Sequence, residues 1–398
     1  MSDNNPFGAL KGLRMIELGQ LIAGPFCGQL MADHGVEVIK VEAPDKPDPM
    51  REWGQGIPLW WNVVARNKKC VTLNLREQKG QEILKNLVKD TDFLLENFRA
   101  GTMEKWGLGY EELKKINPKL IMIRVSGYGQ TGPYCKRAGY GSIGEAMGGL
   151  RNLAGDPANP PSRVGISIGD SLAATYACLG ALMALRHRDQ TGEGQVVDSA
   201  IYEAVLANME SVIPEYVVAG HTRERTGSVL PKIAPSNAYP TTDGDILIGA
   251  NQDSVFGRLC KAMGRPEMAT DPRYIDHVSR GAHQVELDDL IADWTRSQDP
   301  EAVLDLMEEH GVPAGKIYKA KDMLEDPHFK ARDAIVDVPH EKYGTIPMQN
   351  VAPKLSATPG EIKWAGPLEL GQHNAEIYGS MLGMNEEKLA SLKADGII

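Results

Sequence analysis

At 398 residues the chain is longer than one hydrophobic core usually sustains, which predicts two domains or a large domain with a smaller one inserted. A composition 42% apolar and 24% charged, with no low-complexity tract and no internal repeat, excludes a disordered or fibrous chain. A formal net charge of -10, with no Lys/Arg cluster interleaved with aromatics, excludes a nucleic-acid binder.

There is no run of 18 apolar residues, and the opening "MSDNNPFGALKG" lacks the charged-then-apolar layout of a signal peptide. A cytoplasmic protein without membrane contact is the expectation. Five dispersed cysteines without a C-x-x-C, and nine histidines without an H-E-x-x-H, predict neither a disulfide framework nor a protein-held metal.

In chain order, "RMIEL" reads as a short strand, "PFCGQLMADHG" as a helix with a glycine stop, and "VEVIKVE" as an alternating strand. "CVTLNL", the helical "QEILKNLVKDTDFLLEN" and the apolar "LIMIRVS" continue the alternation, so a parallel, helix-covered sheet is expected over the first ~200 residues. "DSLAATYACLGALMALRHR" reads as a buried helix. Asp198 to Gly220 reads as a second long helix broken by Pro214, followed by a polar linker. "DGDILIGA" then predicts a strand, with helices at 252–263, 284–296 and 300–310 and a tail of short strands ending in two short helices. The expected fold is α/β: a large Rossmann-like domain with a parallel sheet over 1–199, completed by 335–398, a linker over 200–229, and a smaller α+β domain over 230–334.

"SGYGQTG" after "LIMIRV" has the letters of a dinucleotide-binding loop, G-x-G-x-x-G. Such a loop needs its third glycine to open a helix whose amides hold a pyrophosphate, with an acidic residue closing the next strand. Here Gly132 meets Pro133, and Glu145 falls in a helical stretch, so a glycine-rich turn is the better reading. The first βαβ unit, with Gly19, Gly24 and Gly28 around its turn, is the more Rossmann-like candidate, although its glycine spacing does not match the fingerprint.

Asp170 lies after a glycine at the start of the buried apolar helix. Two readings share the same physics. Asp170 or Ser171 caps the helix, or the helix-terminal amides and dipole keep an ionised carboxylate poised as a nucleophile.

Seven motifs in order, "LIAGPFCGQLMADHGVEVIKVEAP", "NKKCVTLNL", "ENFRAGTMEKWGLGYEEL", "SGYGQTGPY", "RAGYGSIGEAMGG", "VGISIGDSLAA" and "GEGQVVDSAIYEAV", resemble the class III CoA-transferases, the formyl-CoA transferase and carnitine CoA-transferase family, along nearly the whole chain. The resemblance implies that Asp170 attacks an acyl-CoA thioester to give a mixed anhydride, then carries CoA as an aspartyl thioester, with no ATP, metal or permanently bound cofactor. It implies Tyr140 beside the reacting thioester, with Glu145 nearby where a glutamine is usual in the family, and CoA contacts from Gln20, Leu21, Ile22, Ala23, Leu73, Arg76, Asn97, Phe98 and Lys105. Read singly, Arg76 and Lys105 are ordinary surface charges and Phe98 an ordinary core aromatic. The glycines of "SGYGQTG" are candidate walls of the site.

Two departures stand out. Gly141 follows Tyr140 where formyl-CoA transferase carries an acidic residue, and "GANQDSV" replaces its tetraglycine lid, so lid behaviour and acceptor size are expected to differ. The related α-methylacyl-CoA racemases use a histidine where this chain has Tyr140, which weakens that alternative; a CoA-binding protein without catalysis and a nicotinamide enzyme are the others. The region from Arg223 to Asp253 looks most like the branch that moves CoA from succinyl-CoA to dicarboxylic acids, with Arg163, Arg225 and Lys232 as candidate partners of a second carboxylate. The resemblance also implies an interlocked, ring-like homodimer, with acyl-CoA and small carboxylic acids as the other partners.

Overall fold

The computed structural model describes residues 7–398; the first half of the amino-terminal segment discussed above, residues 1–6, lies outside the described residues. The chain divides into two compact units, one comprising the residues up to Leu150, Val164–Val212 and Lys330–Ile398, the other Arg151–Arg163 and Ile213–Phe329.

The larger unit is built on six strands, β1 (Arg14–Glu17), β2 (Glu37–Glu42), β3 (Lys68–Thr72), β4 (Phe93–Glu96), β5 (Ile121–Ser126) and β6 (Val196–Ala200). They form one sheet in the order β3-β2-β1-β4-β5-β6, every pair parallel. Its helices are α1 (Ala23–Asp33), α2 (Leu59–Val64), α3 (Gln78–Val88), α4 (Thr102–Lys105), α5 (Tyr110–Ile116), α6 (Gly141–Met147), α8 (Ile168–Thr191) and α9 (Ile201–Leu206), while α7 (Leu150–Leu153) and α10 (Val212–Ala219) fall, but for their first residues, in the smaller unit. Strand order reverses between β1 and β4, and open α/β sheets bind ligands beyond the carboxyl ends of the strands at such a reversal.

Alternation decides what each face meets. Ile16, Ile39, Val41, Val71, Leu94 and Met122 pack against Ile83, Leu84, Leu87 and Val88 of α3 and Leu113 of α5. Met15, Val38, Phe93, Leu95, Ile121 and Ile123 turn to α1 and to an alanine stripe of α8, Ala173, Ala174, Ala177, Ala181 and Ala184. Each fully buried aliphatic side chain contributes roughly 1.5–3 kcal/mol. Alanine and glycine bring α8 very close: a Cβ on Gly180 would sit 2.6 Å from Val197. Gly192, at φ +80, ends the helix in the left-handed conformation, and its N–H donates to the Arg188 carbonyl at 2.7 Å. α8 is long and apolar enough to cross a membrane; its alanine stripe packs on α1 and the sheet, while Leu179, Leu182 and Met183 on the same helix are exposed.

The α1 face changes character toward the carboxyl ends. Glu17 and Lys40 are register partners, and Lys68 stands opposite Val38 two positions back, so all three charges point under α1. All are buried, with Lys68 2.8 Å and Lys40 3.3 Å from the Glu17 carboxylate. Gly28 is the helix residue above them; a Cβ there would lie 1.9 Å from Glu17 Oε2.

Two expectations are corrected. "QEILKNLVKDTDFLLEN" is not one helix: α3 ends at Val88 and Phe93–Glu96 is the central strand β4, because "DFLLE" is a short apolar run buried on both faces and carries no alternation. Asp198 to Gly220 is not a long helix broken at Pro214. Asp198 belongs to β6, the break falls between α9 and α10, and Pro214 sits in the first turn of α10, where its missing N–H costs nothing.

The smaller unit has an antiparallel sheet of β7 (Ser236–Pro240), β8 (Asp245–Gly249) and β9 (Ala314–Lys316). Around it lie α11 (Asp253–Ala262), α13 (Gln284–Thr295) and α14 (Pro300–Glu309), close to the three predicted helices, together with α12 (His277–Ala282) and α15 (Ala320–Glu325), which were not predicted. Tyr239, Ile246, Ile248, Phe256, Leu259, Leu287, Ile291 and Met307 form its core. After α16 (Pro327–Ala331), the chain adds the hairpin β10 (Ile335–His340) and β11 (Gly344–Gln349). It ends in α17 (Asn374–Leu382) and α18 (Glu386–Ala394), which complete the α3 face of the large unit.

The contact beneath Gly28 yields a stability prediction. Gly28→Ala is expected to lower stability by about 3 kcal/mol, because the new methyl group must displace α1 or part the Glu17 ion pairs. Thermal unfolding checks this; an unchanged midpoint would show that the helix slides aside freely.

Candidate active site

α8 precedes β6, which is parallel to the other strands, so α8 runs from the carboxyl edge of the sheet back to the amino edge. Its first turn therefore lies at the same edge as the turn after β1, the loop after β4 and the glycine loop after β5.

The turn after β1 carries Gln20, Leu21, Ile22 and Ala23. The Asn97 amide, just beyond β4, donates to the Gln20 carbonyl at 2.8 Å and accepts from the Gln20 N–H at 2.8 Å, joining the two strands where their order reverses. Gly19 and Gly24 have no side chains because Asn97 and each other's backbone fill the space. Leu21 sits at φ 62, a conformation uncommon for a residue with a Cβ. Its N–H donates to both carboxylate oxygens of the buried Asp48, at 3.1 and 3.2 Å. Asp48 is 2.8 Å from Lys40, and Lys40 also donates to the Gly19 carbonyl. Burial by itself would lower the Lys40 ammonium and raise the Asp48 carboxyl. Their mutual attraction, with Glu17 and Glu42 around Lys40, reverses both shifts, so Lys40 is held up, Asp48 is held down, and both stay charged.

Among the other expected CoA contacts, Phe98 is half-buried and stacks edge-on against Trp106 at 5.3 Å. Its N–H donates to Glu96 at 2.7 Å. Leu73 is buried in the core, leaving its backbone to face outward at most, and its N–H is already given to Glu42. Arg76 is exposed, 3.9 Å from Asp45, and Lys105 is exposed.

The second cluster holds the expected nucleophile. Ser167, and neither Asp170 nor Ser171, occupies the cap position of α8. Asp170 is the third helical residue, within the first turn where the dipole still favours a negative charge. Its carboxylate lies against Gly141, the first residue of α6: a Cβ at 141 would be 2.2 Å from Oδ2 and 2.9 Å from Oδ1. The departure noted at Gly141 thus has a steric reason, since any side chain there would displace the Asp170 carboxylate. Glu145 is buried one turn along α6; its Oε1 accepts from the Gly169 N–H at 3.4 Å, and a Cβ on Gly169 would touch its Cγ at 2.9 Å. Tyr140 caps α6 with its carbonyl and leaves its ring 71% exposed.

The loop "SGYGQTGPY" forms the neighbouring wall. Gly132 is followed by turns and not by a helix, as Pro133 predicted. Gly129 and Gly132 have φ of +80 and +81, and a Cβ on Gly127 would meet the Gly139 backbone at 3.1 Å. The Gln130 N–H donates to Asp198 in the middle of β6 at 2.8 Å, and burial pushes that carboxyl up. Beneath it, Arg124 bridges Glu96 at 2.7 Å and Glu104 at 2.6 Å.

Sequence reasoning did not single out Glu17, Lys40, Asp48, Lys68 or Arg124. In "VEVIKVE" Lys40 occupies what reads as a solvent-facing position of an alternating strand. The available signal was the parallel sheet itself, whose strands are covered on both faces and leave no solvent side for a lysine.

In the smaller unit, Arg225 reaches the Asn152 carbonyl at 3.3 Å, while its buried Nε has no hydrogen-bond partner. Arg163 and Lys232 belong to the same unit and are exposed. "GANQDSV" is tied down: the Ala250 N–H donates to Pro235 at 2.8 Å, and the Asn251 carbonyl accepts from the fully buried Arg280 at 2.8 Å. Among the described residues no group of three or more His, Cys, Asp or Glu is placed to hold a metal ion.

Comparison with known proteins agrees with this arrangement. The chain is 60% identical to the succinyl-CoA–D-citramalate CoA-transferase of Chloroflexus aurantiacus over the full length of both. It is 42% identical to the succinyl-CoA–L-malate CoA-transferase beta subunit of the same organism, over 98% of each. A crystal structure of a CAIB/BAIF family protein from Brucella suis superposes with a TM-score of 0.85 at 32% identity, covering 94% of this chain and all of that one. Residues 10–374 match CoA-transferase family III, and the chain belongs to that family.

Proposed function

We propose that this CoA-transferase moves CoA from succinyl-CoA to a dicarboxylic acid, with Asp170 as the covalent carrier. The observation that carries the reading is the Asp170 carboxylate held against a residue without a side chain, in the first turn of α8, at the edge where the sheet order reverses. The donor and the acceptor class are read from relatives named for succinyl-CoA with citramalate, malate or glutarate.

The steps follow from a carboxylate nucleophile and a thiolate leaving group. An Asp170 oxygen attacks the thioester carbonyl, the carbon–sulfur bond breaks, and a succinyl–aspartyl anhydride and CoA thiolate result. The thiolate attacks the Asp170 carbonyl, releasing succinate and leaving an aspartyl-CoA thioester. The acceptor carboxylate attacks that thioester, and the expelled thiolate takes the acceptor's acyl group, freeing Asp170. Thioester energy is conserved, so the chain needs no resident cofactor.

The Rossmann-like unit supplies the coenzyme contacts in this reading, with Gln20–Ala23, Asn97 and Phe98 at the strand reversal and Leu73, Arg76 and Lys105 flanking them. Tyr140, Glu145 and the amides of the 127–132 loop surround the thioester. Arg225, with its unpartnered buried Nε, is the favoured partner for the acceptor's second carboxylate. An interlocked homodimer is supported by the apolar side chains that α8 and α10 leave exposed, Leu179, Met183, Tyr216, Val217 and Val218 among them. A cytoplasmic location fits enzymes that act on CoA thioesters.

Two measurements test the carrier. Incubation with succinyl-CoA and hydroxylamine is expected to inactivate the protein and convert Asp170 to its hydroxamate, seen by peptide mass spectrometry; an unmodified Asp170 peptide in inactivated enzyme sinks the assignment. Gly141→Ala is expected to reduce kcat about 100-fold with the protein still folded, because its methyl group occupies the position of the carboxylate. Retention of normal kcat would show that Asp170 works from another rotamer.

A further inference from the structure

We infer that Asp48, backed by Lys40, is a positioning residue for the thioester substrate, setting the conformation of the Gln20–Ala23 turn that receives the coenzyme. The inference rests on the proposed role of that turn and goes beyond it, because neither residue belongs to the turn and both are buried beneath it.

Leu21 is held in the left-handed region, which a residue with a Cβ keeps only when its surroundings impose it. Asp48 imposes it by accepting the Leu21 N–H on both carboxylate oxygens, while also accepting from the Met50 N–H at 3.0 Å. The Asp48 N–H is itself given to Glu42 at 3.1 Å. Lys40 fixes the carboxylate and reaches past it to the Gly19 carbonyl, so one ammonium holds both the start of the turn and the group that holds its middle. Glu17 balances Lys40 from the strand below, and Asn97 fixes Gln20 from the β4 side. Every polar group from Gly19 to Leu21 named here is thus held from beneath or from the side. α1 then opens at Ala23, with no side-chain cap and no acidic residue in its first turn, leaving the upper side of the turn to the substrate. Asp48 touches no substrate atom in this arrangement; it acts through Leu21.

The test separates positioning from general stability by splitting KM from kcat. In Asp48→Asn one oxygen is lost and Lys40 is released, and KM for succinyl-CoA is expected to rise about tenfold, with kcat and the acceptor KM within about twofold. Adding Leu21→Gly to that variant is expected to recover most of the loss, since glycine adopts the left-handed conformation unaided. Should Asp48→Asn fail to fold, Leu21→Val, which leaves the ion network whole and disfavours the left-handed region, is expected to raise the succinyl-CoA KM in the same way. A lower melting point with unchanged KM in Asp48→Asn, or normal KM in Leu21→Val, overturns the inference, as does a fall in kcat alone. Calorimetric titration of the unaltered protein with free CoA distinguishes the two levels: absence of binding there refutes the coenzyme reading itself.

Discussion

The structure depends on a chain of four buried charges, three of them on strands of a parallel sheet that should carry none. Glu17, Lys40 and Lys68 lie under α1 and Asp48 in the loop after β2, joined by contacts of 2.8 to 3.3 Å. Removing such charges from water is costly, and a buried pair is repaid only when its remaining donors and acceptors are satisfied. Main-chain groups meet three of the four: Lys40 donates to Gly19, Lys68 donates to Pro25 at 2.7 Å, and Asp48 accepts from Leu21 and Met50, while Glu17 Oε1 keeps only its ion pair with Lys40. The same desolvation that makes the network expensive therefore ties it to one backbone conformation. A hydrophobic layer of equal volume would pack as well and would leave the turn undirected.

A second economy of space governs Asp170. α6 and the residue that caps its end present glycines at 141, 144 and 148, and side chains there would collide with Asp170, Ile201 and Val205 at 2.2, 2.4 and 2.6 Å. Glycine inside a helix sacrifices roughly 0.5–1 kcal/mol relative to alanine. The return is a short helix lying directly on the first turn of α8 and on α9, close enough for Glu145 to meet the Gly169 amide. Glycines that look like flexibility in sequence act here as contact surfaces, and the same holds for Gly127 against Gly139 beside the loop.

These two arrangements share the carboxyl edge of one sheet, in a chain without a dinucleotide fingerprint. Strand reversal between β1 and β4 opens the crevice, Asn97 closes it with paired hydrogen bonds, and the crossover direction of α8 brings Asp170 to the same edge. Taken by itself, the smaller unit holds its 249–255 segment with a buried Arg280 that donates to the carbonyls of Ala234, Tyr274 and Asn251.

Much of this was legible in the residues. Period and glycine stops placed α1, α8, α11, α13 and α14, Pro133 ruled out a helix after the glycine loop, and the order of seven motifs pointed to the family to which the chain belongs. These features are local, set by neighbours within a turn or a strand, so sequence by itself determined them. Only the tertiary structure decided that "DFLLE" is the central strand β4, that Lys40 points inward, and that Gly141 makes room for Asp170. Each of those depends on which strand lies beside which. Pairing across dozens of residues sets burial on both faces of the sheet, and burial turns a lysine in an alternating strand into the anchor of the turn after β1.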